Sequence, residues 1–139
     1  MAGLWGTAFN VSNAISFFPI LEFSSANSAA KFQAWDGANL VSMGLPTGFA
    51  YDSWYTLSIS LNGANWDYKV GDLSMSVADI NSIYIGNTIL QGHNTQTGVT
   101  YDIYWDNLTA VPEPGTYGMV LAGLGVVAFA IRRRRSTAS

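Results

Sequence analysis

The sequence predicts an all-β protein: an antiparallel, jelly-roll-like β-sandwich followed by a single C-terminal transmembrane helix. Three observations predict it. Between residues 54 and 77, apolar and polar residues alternate with period two, which marks strands buried on one face. Strand-like runs recur at a spacing of roughly 8–12 residues, as in a sandwich. Near the end, fifteen residues from Tyr117 to Ile131 carry no charge and run into Arg132, Arg133, Arg134 and Arg135.

The elements follow in chain order. "LWGTAFNV" (4–11) reads as an opening strand. "AISFFPILEF" (14–23) is apolar, but no Lys or Arg precedes it and no clean small-residue cleavage site follows, so it does not read as a secretory signal peptide. "AKFQAWDG" (30–37) is a strand ending in an Asp-Gly turn. In "WYTLSISL" (54–61), Tyr55, Leu57, Ile59 and Leu61 share one face, and Thr56, Ser58 and Ser60 the other. "NWDYKV" (65–70) sets Trp66, Tyr68 and Val70 against Asn65, Asp67 and Lys69. Asn62-Gly63 joins these two strands, because both residues tolerate positive φ. "LSMSV" (73–77), "SIYIGNTIL" (82–90) and "VTYDIYWDNL" (99–108) supply three more strands. Trp5, Trp54, Trp66 and Trp105 follow the apolar phase or lie at strand ends, and are expected in the core. The domain boundary falls at the Pro112 region: a head over 1–110, a tail over 111–135, and four closing residues, 136–139.

Composition narrows the function. Charged residues make up 11% of the chain, against roughly 25% in an average soluble domain. Residues 1–111 contain eight acids and two lysines, leaving the head at −6. Phosphate binding needs clustered Lys and Arg, so nucleic acid is not an expected partner. Cysteine is absent, which excludes disulfides, thiolate catalysis and Cys-based zinc sites.

The tail has three parts in order: Pro112, Glu113 and Pro114; an apolar segment over 115–131; and a basic stop, Arg132 to Arg135. Seventeen helical residues rise about 26 Å, slightly short of the roughly 30 Å hydrocarbon core, a gap that arginine snorkelling can close. The basic cluster stays cytoplasmic, so the head faces outward. This arrangement resembles the PEP-CTERM sorting signal of Gram-negative, exopolysaccharide-producing bacteria. The resemblance implies that an exosortase, an integral-membrane cysteine protease, recognises Pro112-Glu113-Pro114 and processes the tail. It also implies passage through the inner membrane to the cell envelope or extracellular matrix. Proline fixes φ and withholds a donor, so the motif stays extended, as a protease substrate must. Export without an evident signal peptide leads to the expectation that the chain is an N-terminally truncated sandwich, lacking a leader and first strands.

The head looks like the later part of a laminin-G/concanavalin A-like jelly roll, on "SWYTLSISLNGANWDYKVGD" and "YDIYWDNL". Glycosidases of that class need two carboxyls flanking the scissile bond. The head has a single glutamate, Glu22. Asp102 and Asp106, four apart on a strand, would lie about 13 Å apart along it, beyond the roughly 5–9.5 Å of working pairs. His93 is the only histidine and reads as a polar loop residue. The expected protein is therefore non-catalytic and without a cofactor. Trp35 and Tyr104, on the polar faces of their strands, are the candidate glycan contacts, because an exposed ring can stack on a sugar. Asp106 and Asn107, with Asp36 or Asp72, are weak candidate calcium ligands. The alternative to a plain envelope or matrix protein is a carbohydrate-binding module acting on exopolysaccharide.

Overall fold

The structure is a computed structural model that describes residues 1–25, 30–93, 102–110 and 124. Two compact units divide the chain, Met1–Tyr104 and Trp105–Ser139. Among the described residues the first contains nine strands, all antiparallel: β1 (Ala2–Phe9), β2 (Ile15–Phe17), β3 (Ile20–Ser24), β4 (Lys31–Trp35), β5 (Leu40–Gly44), β6 (Leu57–Asn62), β7 (Asn65–Val70), β8 (Leu73–Ala78) and β9 (Tyr84–Gly92). Strands β1–β5 and β9 form one sheet and β6–β8 the other.

The apolar run at 14–23 is two strands. β3 pairs with Ala2–Trp5 and β2 with Ala8–Phe9, while β9 pairs along the whole of β1. Thus β2 and β3 lie end to end along one edge of β1, as a single strand broken at Pro19. Proline has no N–H to give the ladder. Its carbonyl still accepts from the Gly6 amide at 2.8 Å, so the break costs only one bond.

The smaller sheet follows the alternation of its sequence. Trp66, Tyr68, Val70 and Val77 are buried, with Leu57, Ile59, Leu61 and Met75 packed around them. Asn65, Lys69, Ser74 and Ser76 face solvent. The β6–β7 hairpin is present, but its turn sits one residue later than Asn62-Gly63. Asn62 pairs with Asn65, and the loop is Gly63-Ala64. Only Gly63 takes positive φ there, at 63°. That matches a type II′ turn, which needs glycine at its first central position and leaves Asn62 in the strand.

The core joins the sheets: Ala8, Leu21 and Ala34 meet Trp66, Tyr68 and Val77. Two polar bonds fix the layers. The Tyr68 hydroxyl donates to the Trp35 carbonyl at 3.1 Å, and Ser16 Oγ shares a 2.7 Å bond with Ser82 Oγ. Phe17 stacks on Trp66 at 5.7 Å. A buried aromatic carries a large apolar area and wants its polar atom satisfied. Trp66 meets that need through Asp79, which accepts from its Nε1 at 2.8 Å.

Two sequence expectations fail here. The run 99–108 was expected to be a strand, but residues 102–108 form none. Asn107 takes φ 53°, a left-handed conformation that an extended ladder excludes, and alternation alone cannot supply a pairing partner. Among the tryptophans, only Trp66 is fully buried. Trp54 is 71% exposed and Trp105 38%. Trp54 lies before β6 begins, in phase with the polar Thr56 and Ser58, so the strand turns it away from the core. Trp5 is half-buried on the face opposite the core.

The transmembrane helix expected over 115–131 lies outside the described residues except Leu124, which is helical. Among the described residues, no helix is long and apolar enough to cross a membrane.

Candidate functional site

Three places hold chemistry-bearing residues: the outer face of the large sheet, the turn carboxylates, and the connection between the sheets.

On the outer face, register places Gly3, Glu22 and Gln33 in one row across β1, β3 and β4. Directly paired residues share a face, and neighbours along a strand point oppositely. Leu21 and Ala34 enter the core, so Glu22 and Gln33 point away from it. Glu22 is nevertheless only 1% exposed. Gln33 Nε2 donates to its Oε1 at 2.6 Å, and Trp5 Nε1 to its Oε2 at 3.2 Å. A buried carboxyl is tolerated when both oxygens have donors. Those same bonds fix the carboxyl in place. Sequence reasoning treated Glu22 only as a lone glutamate. Its phase opposite Leu21 was the signal that placed it off the core face.

The turn aspartates are occupied. Asp36 Oδ1 accepts from the amides of Ala38 and Asn39 at 2.8 and 2.7 Å, closing the β4–β5 turn where Gly37 supplies φ 101°. The Asn39 amide, then that of Ala38, hold the Asp36 carboxyl below its ordinary range. Asp72 accepts from the Thr47 amide at 2.9 Å and hydroxyl at 2.6 Å, and those bonds lower its pKa likewise. Asp106 Oδ1 accepts from the Asn107 amide at 2.7 Å. The calcium candidates Asp36, Asp72 and Asp106 thus accept backbone amides, and the described residues form no group of three His, Cys, Asp or Glu able to hold a metal ion.

Asp79 is the most enclosed of the aspartates. Burial pushes its carboxyl up, but bonds from Ser82 Oγ, Trp66 Nε1 and the Asn81 and Ser82 amides outweigh that and lower it below 3.8. A depressed carboxyl stabilises the fold above its unfolded pKa and loses that contribution as pH falls through the folded value. Tyr68 works at the other limit. Burial raises its phenol far above 10.0, and the Ile20 backbone offsets only part of this. The neutral phenol stabilises the fold below pH 10.0, and the contribution is lost above it. Melting temperature should therefore fall below about pH 3.8 and again above about pH 10. Asp79→Asn should flatten the acid limb and Tyr68→Phe the alkaline one, as followed by circular dichroism melts. Unchanged limbs in both variants would rule out this assignment.

Of the candidate glycan contacts, Trp35 is half-buried at the end of β4, and Tyr104 is 73% exposed but not on a strand. The Asp102–Asp106 separation inferred from an extended strand loses its basis for the same reason. His93 is exposed, just beyond β9, where its amide donates to the Met1 carbonyl at 2.8 Å and continues the β1–β9 ladder.

The connection from β5 to β6, residues 45–56, carries what sequence reasoning missed. Phe49 and Tyr55 stack at 5.3 Å and pack on Phe23 and Phe32. Above this cluster, Tyr51 is 65% exposed, and Trp54 stands free of the core.

Pro112, Glu113, Pro114 and Arg132 to Arg135 lie outside the described residues. No curated protein matches the chain, and no solved structure does. Residues 110–135 match the family model of the PEP-CTERM protein-sorting motif. That segment ends in the basic stop and contains the Pro-Glu-Pro near its start, so the C-terminal segment of the chain carries a PEP-CTERM protein-sorting motif.

Proposed function

We infer that the chain is a non-catalytic, exported protein whose β-sandwich head is delivered to the cell envelope or extracellular matrix through exosortase processing of its tail. The observation that carries this is the match of residues 110–135 to the sorting motif. Such a signal implies secretion through a membrane and exosortase processing in general. The order of the parts supports the finer reading. The apolar run would hold the tail in the inner membrane of a Gram-negative host, Arg132 to Arg135 would stay cytoplasmic, and the extended Pro-Glu-Pro would lie at the outer surface. In this respect the tail acts as a removable address, like the hydrophobic tail of a GPI-anchored protein.

The test is processing in a host with its matching exosortase and in the same host without it. Wild type should lose mass corresponding to the tail only when the enzyme is present. Glu113→Ala keeps both prolines and the anchor but removes the only charge between Asp106 and Arg132, and should stay membrane-bound at full length. Equal processing of both forms would reduce the motif to a linker. Processing of neither would make the tail a permanent anchor.

The glycan-binding alternative is favoured by one observation: large aromatic rings held out to solvent on an ordered connection.

A further inference from the structure

We propose that Tyr51, Asp52, Ser53 and Trp54 form a binding site for a neutral glycan. The inference rests on the glycan-binding alternative for the exported head and names its residues and ligand class.

A loop that exposes two large aromatics invites a physical explanation, since burying them would stabilise the fold. Here the exposure is built in. The loop is pinned at its start by the two bonds from Thr47 to Asp72. It is pinned again where Tyr55 Oη accepts from the Ala50 amide at 2.7 Å and donates to the Ala50 carbonyl at 3.1 Å. Beneath it lie Phe23, Phe32, Phe49 and Tyr55. Tyr51 stands edge-on to Phe49 at 5.4 Å and 74°, which fixes its ring without covering it. Asp52 takes φ 59°, turning the chain sharply between the two rings.

The four residues at the tip are all exposed, and they carry two kinds of group. The faces of Tyr51 and Trp54 offer apolar platforms to the C–H faces of a sugar ring. Asp52 and Ser53 offer a carboxylate and a hydroxyl to ring hydroxyls, and neither side chain is engaged elsewhere among the described residues. Apolar side chains alone would leave these polar groups unused, whereas ring hydroxyls can meet them beside the aromatic faces. Charge narrows the ligand further. The head carries −6, which repels uronate, sulfate and phosphate polymers and leaves neutral glycans favoured.

The experiment uses the full chain in a zwitterionic detergent, because sugar-headed detergents would compete. Retardation in native gels would be measured against three neutral glycans: hydroxyethylcellulose, a galactomannan and a soluble β-glucan. Alginate and phosphatidylglycerol vesicles serve as anionic and membrane probes. At least one neutral glycan should retard the wild type more than alginate does. Trp54→Ala and Tyr51→Ala should each weaken that binding about tenfold or more, and Asp52→Asn about threefold. All three should keep the wild-type melting temperature within a few degrees, since exposed positions contribute little to the core. The Glu113→Ala chain should bind like wild type, so a failed processing experiment leaves this result intact. Absence of retardation by every neutral glycan would overturn the proposal, as would binding that survives Trp54→Ala and Tyr51→Ala together. Vesicle binding lost in the same variants, without glycan binding, would reassign the loop to a membrane surface.

Discussion

Trp66→Ala should lower the stability of the head by about 4–5 kcal/mol, enough to leave much of it unfolded at ambient temperature. Trp66 is fully buried and ties the two sheets together by stacking on Phe17. Truncating a core tryptophan costs about 3–5 kcal/mol through lost transfer energy and the cavity left behind. The loss of its Nε1 adds to this, because Asp79 is buried and needs that donor. Removing one partner of a buried hydrogen bond costs about 1–3 kcal/mol, although Ser82 Oγ still donates to the same carboxyl oxygen. Trp66→Phe separates the contributions. It keeps a ring against Phe17 and loses the donor, and should cost about 2 kcal/mol. Urea unfolding followed by circular dichroism measures both. A midpoint for Trp66→Ala close to wild type would mean that the sheets are not held by this residue.

Gly3→Ala, a single added methyl, should destabilise the head by about 3 kcal/mol. A Cβ built on Gly3 would lie 2.5 Å from Glu22 Cβ, 2.8 Å from the Leu21 carbonyl oxygen and 2.9 Å from Glu22 Cα. These are backbone and near-backbone atoms, so no rotamer change relieves the clash. The strands must separate, and separation pulls Glu22 away from the Trp5 donor on β1. A buried carboxyl that loses a donor is costly in its own right. Gly6→Ala is the graded comparison. Its Cβ would meet Pro19 Cγ at 3.0 Å and nothing nearer, and about 1 kcal/mol is expected. If the two variants melted together, the close approach of β1 and β3 would not matter to stability.

The small sheet was legible because each of its strands buries one face only. Leu57, Ile59 and Leu61, then Trp66, Tyr68 and Val70, then Leu73, Met75 and Val77 write that geometry directly into period two. The large sheet was harder to read. Residues 14–23 show no alternation because the outward positions are apolar too, although Phe17, Pro19 and Leu21 keep one inward phase across the break. β5, "LVSMG", is too short and too mixed to carry a period. The described part of the run 99–108, residues 102–108, has the pattern without the pairing, and Asn107 takes a conformation that no count of apolar residues reveals. The tail was legible because its signal is a fixed order of residue types and needs no fold. The loop at 51–54 was not, because exposure of an aromatic depends on what packs beneath it. Trp54 was offset from the core phase of 55–61, and only the stack of Phe49 and Tyr55 explains why the chain there is firm.

The pairing of β1 with β9 has a bearing on how the head could cross a membrane. The first strand finds its long partner only in the last one, from Ala2 against Gly92 to Phe9 against Tyr84. Contacts so distant in sequence form late, after the loop entropy between them has been overcome. On the proposed export route, a head emerging in sequence order keeps its large sheet open along β1 until β9 follows. The pairing of β1 with β9 thus makes closure of that sheet a late event.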